Sequence, residues 1–321
     1  MSFQKVTTLT EFLLKEEQRF QNASGSFTIL MTQIENASKI IASHIKKTGL
    51  VDILGYTGAV NTYGEEVKKL DEFSNNLLID ILRESGQVCA IASEELDEPL
   101  VLPDSTGEYI VCFDPLDGSS NVEVNVTIGT IFSIYRKGST LLQAGRSQVA
   151  AGYILYGSSV MFVYTSGQGV NGFTLDPSIG SFLLSHPNLH IPEKQPIYSI
   201  NEGYFYELDE NHVRYLETIK KESYHLRYVG SMVADIHRTL IKGGIFIHPK
   251  TLKNPKGKLR LMYEVNPMSF ILEQAGGLAY SEGKNPLTVV PNTFSQTVPF
   301  VAGCKGEVEK YQKFMENKEE K

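Results

Sequence analysis

Tryptophan is absent from the 321 residues, and cysteine occurs only three times. Cys89, Cys112 and Cys304 are odd in number and far apart, and two of them sit inside apolar runs. That usage excludes a disulfide-stapled secreted scaffold and predicts buried free thiols in a reducing compartment. Long hydrophobic runs are missing too. No stretch of about 18 uncharged apolar residues occurs, and the N-terminal MSFQKVTTLTEFLLKEEQRF has no apolar signal core. Neither secretion nor membrane spanning is expected; a cytoplasmic protein is. Basic charge is in deficit, with 30 Lys and Arg against 37 Asp and Glu and a net charge of −7. Nucleic-acid and anionic-membrane partners need a basic face, so neither is expected.

What remains is an ordinary globular composition, 41% hydrophobic and 21% charged. The length suggests two domains, and a chain of about 300 residues buries roughly three quarters of its unfolded surface. The charge is strongly segregated. Residues 64–117 carry 14 acids and three bases, a local −11, whereas residues 236–263 carry seven bases and no acid. A net negative chain therefore still offers a cationic segment to an anionic substrate.

Thr8 and Glu11 form a capping-box pattern before Leu9, Phe12 and Leu13. A second helix is predicted from about Thr28 to Gly49, with Leu30, Ile34, Ala37, Ile41 and Ile45 on one face. The polar turn Asn22-Ala23-Ser24-Gly25-Ser26 between them delivers a helix N-terminus, either an ordinary cap or an anion site. Residues 50–64, with Gly55, Gly58 and Gly64, read as a long functional loop. A third helix over 65–85 carries Val67, Leu70, Leu77, Leu78 and Ile81 as its apolar stripe. At 100° per residue Asp71 lies about 40° from Val67 and about 20° from Leu78, beside the core stripe, where it needs a cation, a Lys or Arg or a metal.

Two apolar runs end in carboxylates. Residues 87–92 lead into Ser93-Glu94-Glu95, and 109–113 lead into Asp114-Pro115-Leu116-Asp117-Gly118-Ser119-Ser120. Such runs suit central strands of an α/β sheet, beyond whose ends ligands collect. Antiparallel strands are predicted at 127–135, 150–156, 160–165 and 169–175. Turn signals at His186-Pro187-Asn188 and Pro192–Pro196 mark a weak domain boundary. Later come strands at 197–200 and 244–247, and a helix with Asn266 as N-cap, Pro267 at its first position and Gly276-Gly277 at its end. The charged tail 316–321 is expected to fray.

Asp71, Glu94, Glu95, Asp114 and Asp117 cannot converge without a cation, because like charges at contact raise one another's pKa. Only oxygen ligands are offered and no His/Cys set has zinc spacing, so hard ions such as Mg²⁺ or Mn²⁺ are expected. In the Asp-Pro-Leu-Asp-Gly turn, Leu116 offers its carbonyl, and Gly118-Ser119-Ser120 leave backbone N–H groups for a phosphate.

These segments, together with Gly64–Asp71, Ile200-Asn201-Glu202-Gly203-Tyr204, Arg227–Asp235 and Gly257–Glu264, resemble the class I fructose-1,6-bisphosphatases of the lithium-sensitive sugar-phosphatase superfamily, from about residue 8 to 315. The resemblance implies an α/β fold, a five-layer α-β-α-β-α sandwich. It implies two subdomains, 1–190 of allosteric type with most metal ligands and 191–321 binding the sugar phosphate. It also implies a homotetramer that removes the 1-phosphate of fructose 1,6-bisphosphate in gluconeogenesis, with two or three Mg²⁺ per subunit. By position, Glu94, Asp114, the Leu116 carbonyl, Asp117 and Glu264 bind metal, with Glu65 near a further ion where the family usually has Asp. Asp71 and Glu95 orient and deprotonate the attacking water. Substrate contacts fall on Asp117, Gly118, Ser119, Ser120, Asn201, Tyr204, Tyr228, Gly230, Ser231, Met232, His248 and Lys258. Arg227 comes from a neighbouring subunit, and Arg260 faces the 1-phosphate.

Departures from the family pattern carry expectations of their own. His248 stands where a Tyr is usual, and titration near pH 6.5 would make substrate affinity pH-dependent. In the effector site of many members, Ser24, Gly25, Thr28, Tyr109 and Arg136 match, but Ser26 replaces a Glu and Glu108 replaces a Lys. A negative charge there predicts weak or absent AMP inhibition. No Cys lies between Arg136 and Ala150, so no thiol switch is expected, and the loop has Leu54 where a Tyr is usual, with Tyr56 close by. The competing readings are a sedoheptulose-1,7-bisphosphatase, alone or as a second activity, and a catalytically silent regulatory protein of the same fold.

Overall fold

A computed structural model describes residues 6–18, 24–48 and 63–316, with the side chains of 63–69 outside that description. The Glu65 carboxylate, Leu54, Tyr56, Asn22-Ala23, most of the 50–64 loop and residues 317–321 therefore lie outside the described residues.

Three helices, α1 (Leu9–Glu17), α2 (Ser26–Ile45) and α3 (Tyr63–Glu84), precede the first strand. Thr8 caps α1, its hydroxyl accepting the Glu11 N–H at 3.1 Å. An eight-stranded sheet follows, formed by β1 (Val88–Ser93), β2 (Leu100–Val101), β3 (Tyr109–Asp117), β4 (Ile128–Arg136), β5 (Gln148–Tyr156), β6 (Val160–Thr165), β7 (Val170–Asp176) and β8 (Ser181–Leu189), in the order β2-β1-β3-β4-β5-β6-β7-β8. β1 and β3 are parallel neighbours and the other pairs are antiparallel. Every residue of β1 and β3 is buried, as continuous apolar runs covered on both faces require.

The second half contributes β9 (Ile197–Ser199), α4 (Glu210–Lys221), β10 (His225–Leu226), α5 (Met232–Lys242), β11 (Ile245–His248), β12 (Leu259–Arg260), α6 (Asn266–Gln274), β13 (Leu278–Tyr280), β14 (Thr297–Val298), β15 (Phe300–Gly303) and α7 (Lys305–Met315). A five-stranded sheet runs β10-β9-β11-β15-β13, and β12 pairs with β14. The hydrophobic clusters set the layers. Leu9, Leu30, Ile34, Leu78 and Leu82 pack on one face of the large sheet through Val111, Phe132 and Phe162. Its other face, through Ile131, Tyr153 and Val163, meets Val233 and Ile236 of α5 and Ile271 of α6, which also cover Phe246 and Phe300 of the small sheet. Tyr215 of α4 and Val308 and Tyr311 of α7 close the far side. The order is helix, sheet, helix, sheet, helix, and the middle helices share one core with both sheets.

Three local readings differ from the sequence expectation. Residues 181–189 form β8 and carry the strand through Pro187, which an edge strand tolerates because one row of its N–H groups faces away from the sheet. Asn266 is no N-cap: a π-helical turn, Leu261–Val265, runs directly into α6, and the Asn266 amide donates to the Tyr135 hydroxyl at 3.4 Å. Asp114–Asp117, read from the sequence as part of a turn, belongs to a strand. It is the bulged, buried end of β3, and the ladder to β4 shifts register there. Cys89, Cys112 and Cys304 are free and buried.

Candidate active site

The parallel pairing of β1 and β3 builds the centre. Ser93 lies opposite Phe113, and the Glu94 N–H donates to the Phe113 carbonyl at 3.1 Å, so the two chain ends deliver Glu94 and Asp114 side by side. The π turn brings in Glu264 from the second half, where its carboxylate accepts the Arg260 N–H at 2.6 Å. Glu94, Asp114 and Glu264 each offer an oxygen, and these oxygens lie within 4.8 Å of one another. Asp117 is held slightly apart, accepting the Ser231 hydroxyl at 3.1 Å and the Val233 N–H at 2.8 Å.

Burial is the largest force on these acids. It pushes Glu94 up to about 6, with the charges of Asp117, Glu95 and Asp71 adding and Arg260 opposing. Asp117 rises to about 6, mainly by burial, against hydrogen bonds from Val233 and Ser231. Asp114 and Glu264 go well above the carboxylate range, again chiefly by burial, with Glu94 and Asp117 adding. The only cation paired with the three-oxygen cluster among the described residues is Arg260, 3.6 Å from Glu94. A hard divalent cation fits this donor set: all-oxygen, anionic, and expensive to keep ionised without compensation.

Asp71, on α3, is half-buried and pushed up to about 6, first by burial, then by Glu95, against a hydrogen bond from Ser119. No Lys or Arg pairs with it among the described residues, which leave out the side chains of its helix neighbours Lys68 and Lys69. Gly118 opens the turn Ser119–Asn121 at φ 75°, and a Cβ there would sit 2.8 Å from the Ser231 Cβ. Only glycine meets both conditions.

The residues expected to hold the distal phosphate also gather. Asn201 caps the turn 202–207 through the Gly203 N–H and acts electrostatically on Tyr228, while the Lys258 ammonium lies 5.6 Å from the centre of the Tyr204 ring. Gly230 and Ser231 lead into α5, whose first residue, Met232, is a core side chain. Arg227 is exposed, its guanidinium donating to its own neighbour, the Leu226 carbonyl, at 2.8 Å. His248 ends β11 with Nδ1 buried and unpartnered, and burial lowers it to about 4. Its titration near pH 6.5 is thus corrected: desolvation disfavours the imidazolium.

At the start of α2 the predicted effector residues assemble, with Arg136 stacked 5.5 Å from the centre of the Tyr109 ring and ion-paired to Glu108 at 3.2 Å. Sequence reasoning missed Glu17. Its carboxylate accepts the Gly25 N–H at 2.5 Å and the Thr28 hydroxyl at 2.8 Å, while Ser24 and Ser26 bond each other. Its place at the end of α1, one polar turn before a helix N-terminus, was the available signal.

Fold and centre together define a five-layer α/β protein with a buried cluster of carboxylates gathered at strand ends from both halves of the chain. The family model for the "Fructose-1-6-bisphosphatase, N-terminal domain" matches residues 7–187, and that for the C-terminal domain matches 191–316. The chain belongs to the class 1 fructose-1,6-bisphosphatase family. It is 53% identical to the "Fructose-1,6-bisphosphatase class 1" of Sulfurihydrogenibium sp., over 96% of this chain and 98% of that one. It is 52% identical to the protein of the same name from Persephonella marina, over 97% and 99%. Among solved structures, Leishmania major fructose-1,6-bisphosphatase in its T-state superposes with a TM-score of 0.90 at 38% identity, covering 98% of this chain and 100% of that one. The holo form of the same enzyme gives 0.88 at 39%, with the same coverage.

Proposed function

We propose that the chain hydrolyses the 1-phosphate of D-fructose 1,6-bisphosphate to fructose 6-phosphate and phosphate, a gluconeogenic step, as a Mg²⁺-dependent phosphoric monoester hydrolase. The observation that carries this reading is the convergence of Glu94, Asp114 and Glu264 on one point in a chain of this family. Two or three Mg²⁺, or Mn²⁺ on the same donors, would be held by Glu94, Asp114, the Leu116 carbonyl, Asp117 and Glu264, with Glu65 toward one of them. Bound there, the ions would supply positive charge against the phosphoryl oxygens and the leaving alkoxide.

The chain's own groups do the rest. Asp71 and Glu95 orient a water for in-line attack and take its proton, and a carboxylate raised toward neutrality suits that task. The N–H groups of the Gly118–Ser120 turn and the Arg260 guanidinium hold the reacting phosphate. Asn201, Tyr204, Tyr228, His248 and Lys258 hold the distal one, with backbone from Gly230, Ser231 and Met232. Residues 1–190 thus carry most of the reacting end, and 191–321 the sugar-phosphate end.

The enzyme works in the cytoplasm as a homotetramer, with Arg227 completing a neighbouring subunit's pocket. Exposed Leu226, Tyr228 and Val229 beside Arg227 support that assembly. Phosphate release from fructose 1,6-bisphosphate and sedoheptulose 1,7-bisphosphate, with Mg²⁺ or Mn²⁺ and with EDTA, tests the reading. Fast, EDTA-sensitive release from the fructose ester is expected; release from the heptulose ester alone, or from neither, overturns it.

A further inference from the structure

We propose that Asp235 is the positioning residue of the distal-phosphate pocket, an inference that rests on the pocket assigned above. Asp235 lies in the first turn of α5, fully buried, and touches none of the groups assigned to metal or substrate through their side chains. Its carboxylate is nevertheless surrounded by donors from three segments. Oδ1 accepts the Ser199 hydroxyl at 2.9 Å and the Val229 N–H at 3.0 Å, and Oδ2 accepts the Gly230 N–H at 3.1 Å. Arg238 approaches Oδ1 at 3.4 Å from the next turn.

Those segments are the ones that build the pocket. Ser199 ends β9, two residues before Asn201. Val229 and Gly230 follow Arg227 and Tyr228 directly, and β10 is tied to β9 by the Arg227 N–H donating to the Tyr198 carbonyl at 2.8 Å. Ser231, the N-cap of α5, makes no cap bond with its side chain and donates instead to Asp117. One buried carboxylate therefore sets the distance between Asn201, the Arg227–Gly230 loop and the helix that holds Asp117.

A carboxylate is required because donors approach both oxygens. An amide of the same shape keeps one acceptor and turns two N–H groups toward other donors. Buried charge-assisted bonds of this kind are the strong ones, and leaving a donor unmet is costly. An Asp that only braced the fold would change stability and the fraction of active protein. One that positions the pocket changes affinity for the sugar phosphate selectively.

Steady-state kinetics of the full-length enzyme with Mg²⁺ separate these cases, using Asp235→Asn, Ser199→Ala and, as a reference for the pocket itself, Asn201→Ala. Expected for Asp235→Asn is a KM for fructose 1,6-bisphosphate raised about tenfold, with kcat within about twofold and product inhibition by fructose 6-phosphate weakened by the same factor. Ser199→Ala, which removes one donor and leaves the carboxylate, should raise KM about two- to threefold, and it carries the test if Asp235→Asn does not fold. Unchanged KM in Asp235→Asn, or in Ser199→Ala where that variant carries the test, overturns the inference if Asn201→Ala raises KM. Unchanged KM in Asn201→Ala overturns the pocket assignment instead.

Discussion

The Glu17 carboxylate is seated on the N-terminus of α2, bonded to the Thr28 hydroxyl at 2.8 Å and to the Gly25 N–H at 2.5 Å. A helix start offers its N–H groups to anions, and here an internal carboxylate already occupies that end through the N–H of the N-cap Gly25 and the Thr28 hydroxyl. Glu108 likewise holds Arg136 at 3.2 Å. An anionic effector must therefore displace one carboxylate and compete with another, a stronger obstacle than charge substitution alone suggests.

Weak or absent inhibition by AMP follows. Glu17→Gln combined with Glu108→Lys removes both charges and should lower the half-inhibitory AMP concentration by about tenfold or more, because each like charge near a phosphate costs on the order of 1 kcal/mol even in a watery setting. The readout is phosphate release at fixed substrate over an AMP titration. Submicromolar inhibition of the wild type would falsify the account.

The carboxylate cluster predicts opposite effects with and without metal. Asp114 and Glu264 are buried beside other acids and pushed well above their ordinary range. Without a divalent ion, Asp114→Asn relieves crowding, so its Tm should match or exceed that of the wild type. With saturating Mg²⁺ the wild type should gain Tm by ligand linkage and Asp114→Asn should gain little, while its kcat falls by about a hundredfold or more. Equal Mg²⁺-induced shifts in the two proteins would remove Asp114 from the ligand set.

Much of this centre was legible because the chain writes it locally. The two apolar runs become the fully buried β1 and β3, and their C-terminal carboxylates meet because the strands are parallel neighbours. What stayed hidden is set by tertiary context. Pro187 looked like a linker signal because an edge position cannot be read from one strand's composition. Asn266 looked like a cap because nothing local announces the π turn that precedes it. Asp235 acts through backbone N–H groups of another segment, which leave no residue-type signature, whereas Glu17 could be found only from its place before a helix N-terminus. The segregation of charge was informative where the net value was not, since Arg260 reaches Glu94 in the acid cluster while Lys258 lies over the Tyr204 ring of the distal pocket.

Gly118 couples the two halves sterically. With φ at 75° and a Cβ position 2.8 Å from the Ser231 Cβ, Gly118→Ala forces either the turn or Ser231 to move. Ser231 is a donor to Asp117, so the strain passes to the carboxylate-bearing end of β3. A loss of about 1–3 kcal/mol in unfolding free energy is expected, with a reduced kcat. Denaturant titration and kinetics on the same preparation check it, and a fully active, equally stable variant would mean the turn relaxes without cost.

His248 gives the pH prediction. Burial lowers it from 6.5 to about 4, and the Lys258 charge acts in the same direction. The free enzyme thus holds a neutral ring from pH 6 to 8, and the KM profiles of wild type and His248→Tyr should run parallel across that range. For stability the sign is fixed by the lowered value. The unfolded chain binds a proton below about 6.5 and the folded one does not, so the contribution of the neutral ring is fully present above 6.5 and is lost as pH falls toward 4. Between pH 7 and pH 5 the wild type should lose about 2 kcal/mol more than His248→Tyr, which has no titrating group there. Urea unfolding of both proteins at the two pH values measures that difference, and since every other ionisable group is common to both, equal losses would mean that the imidazole is charged in the folded state.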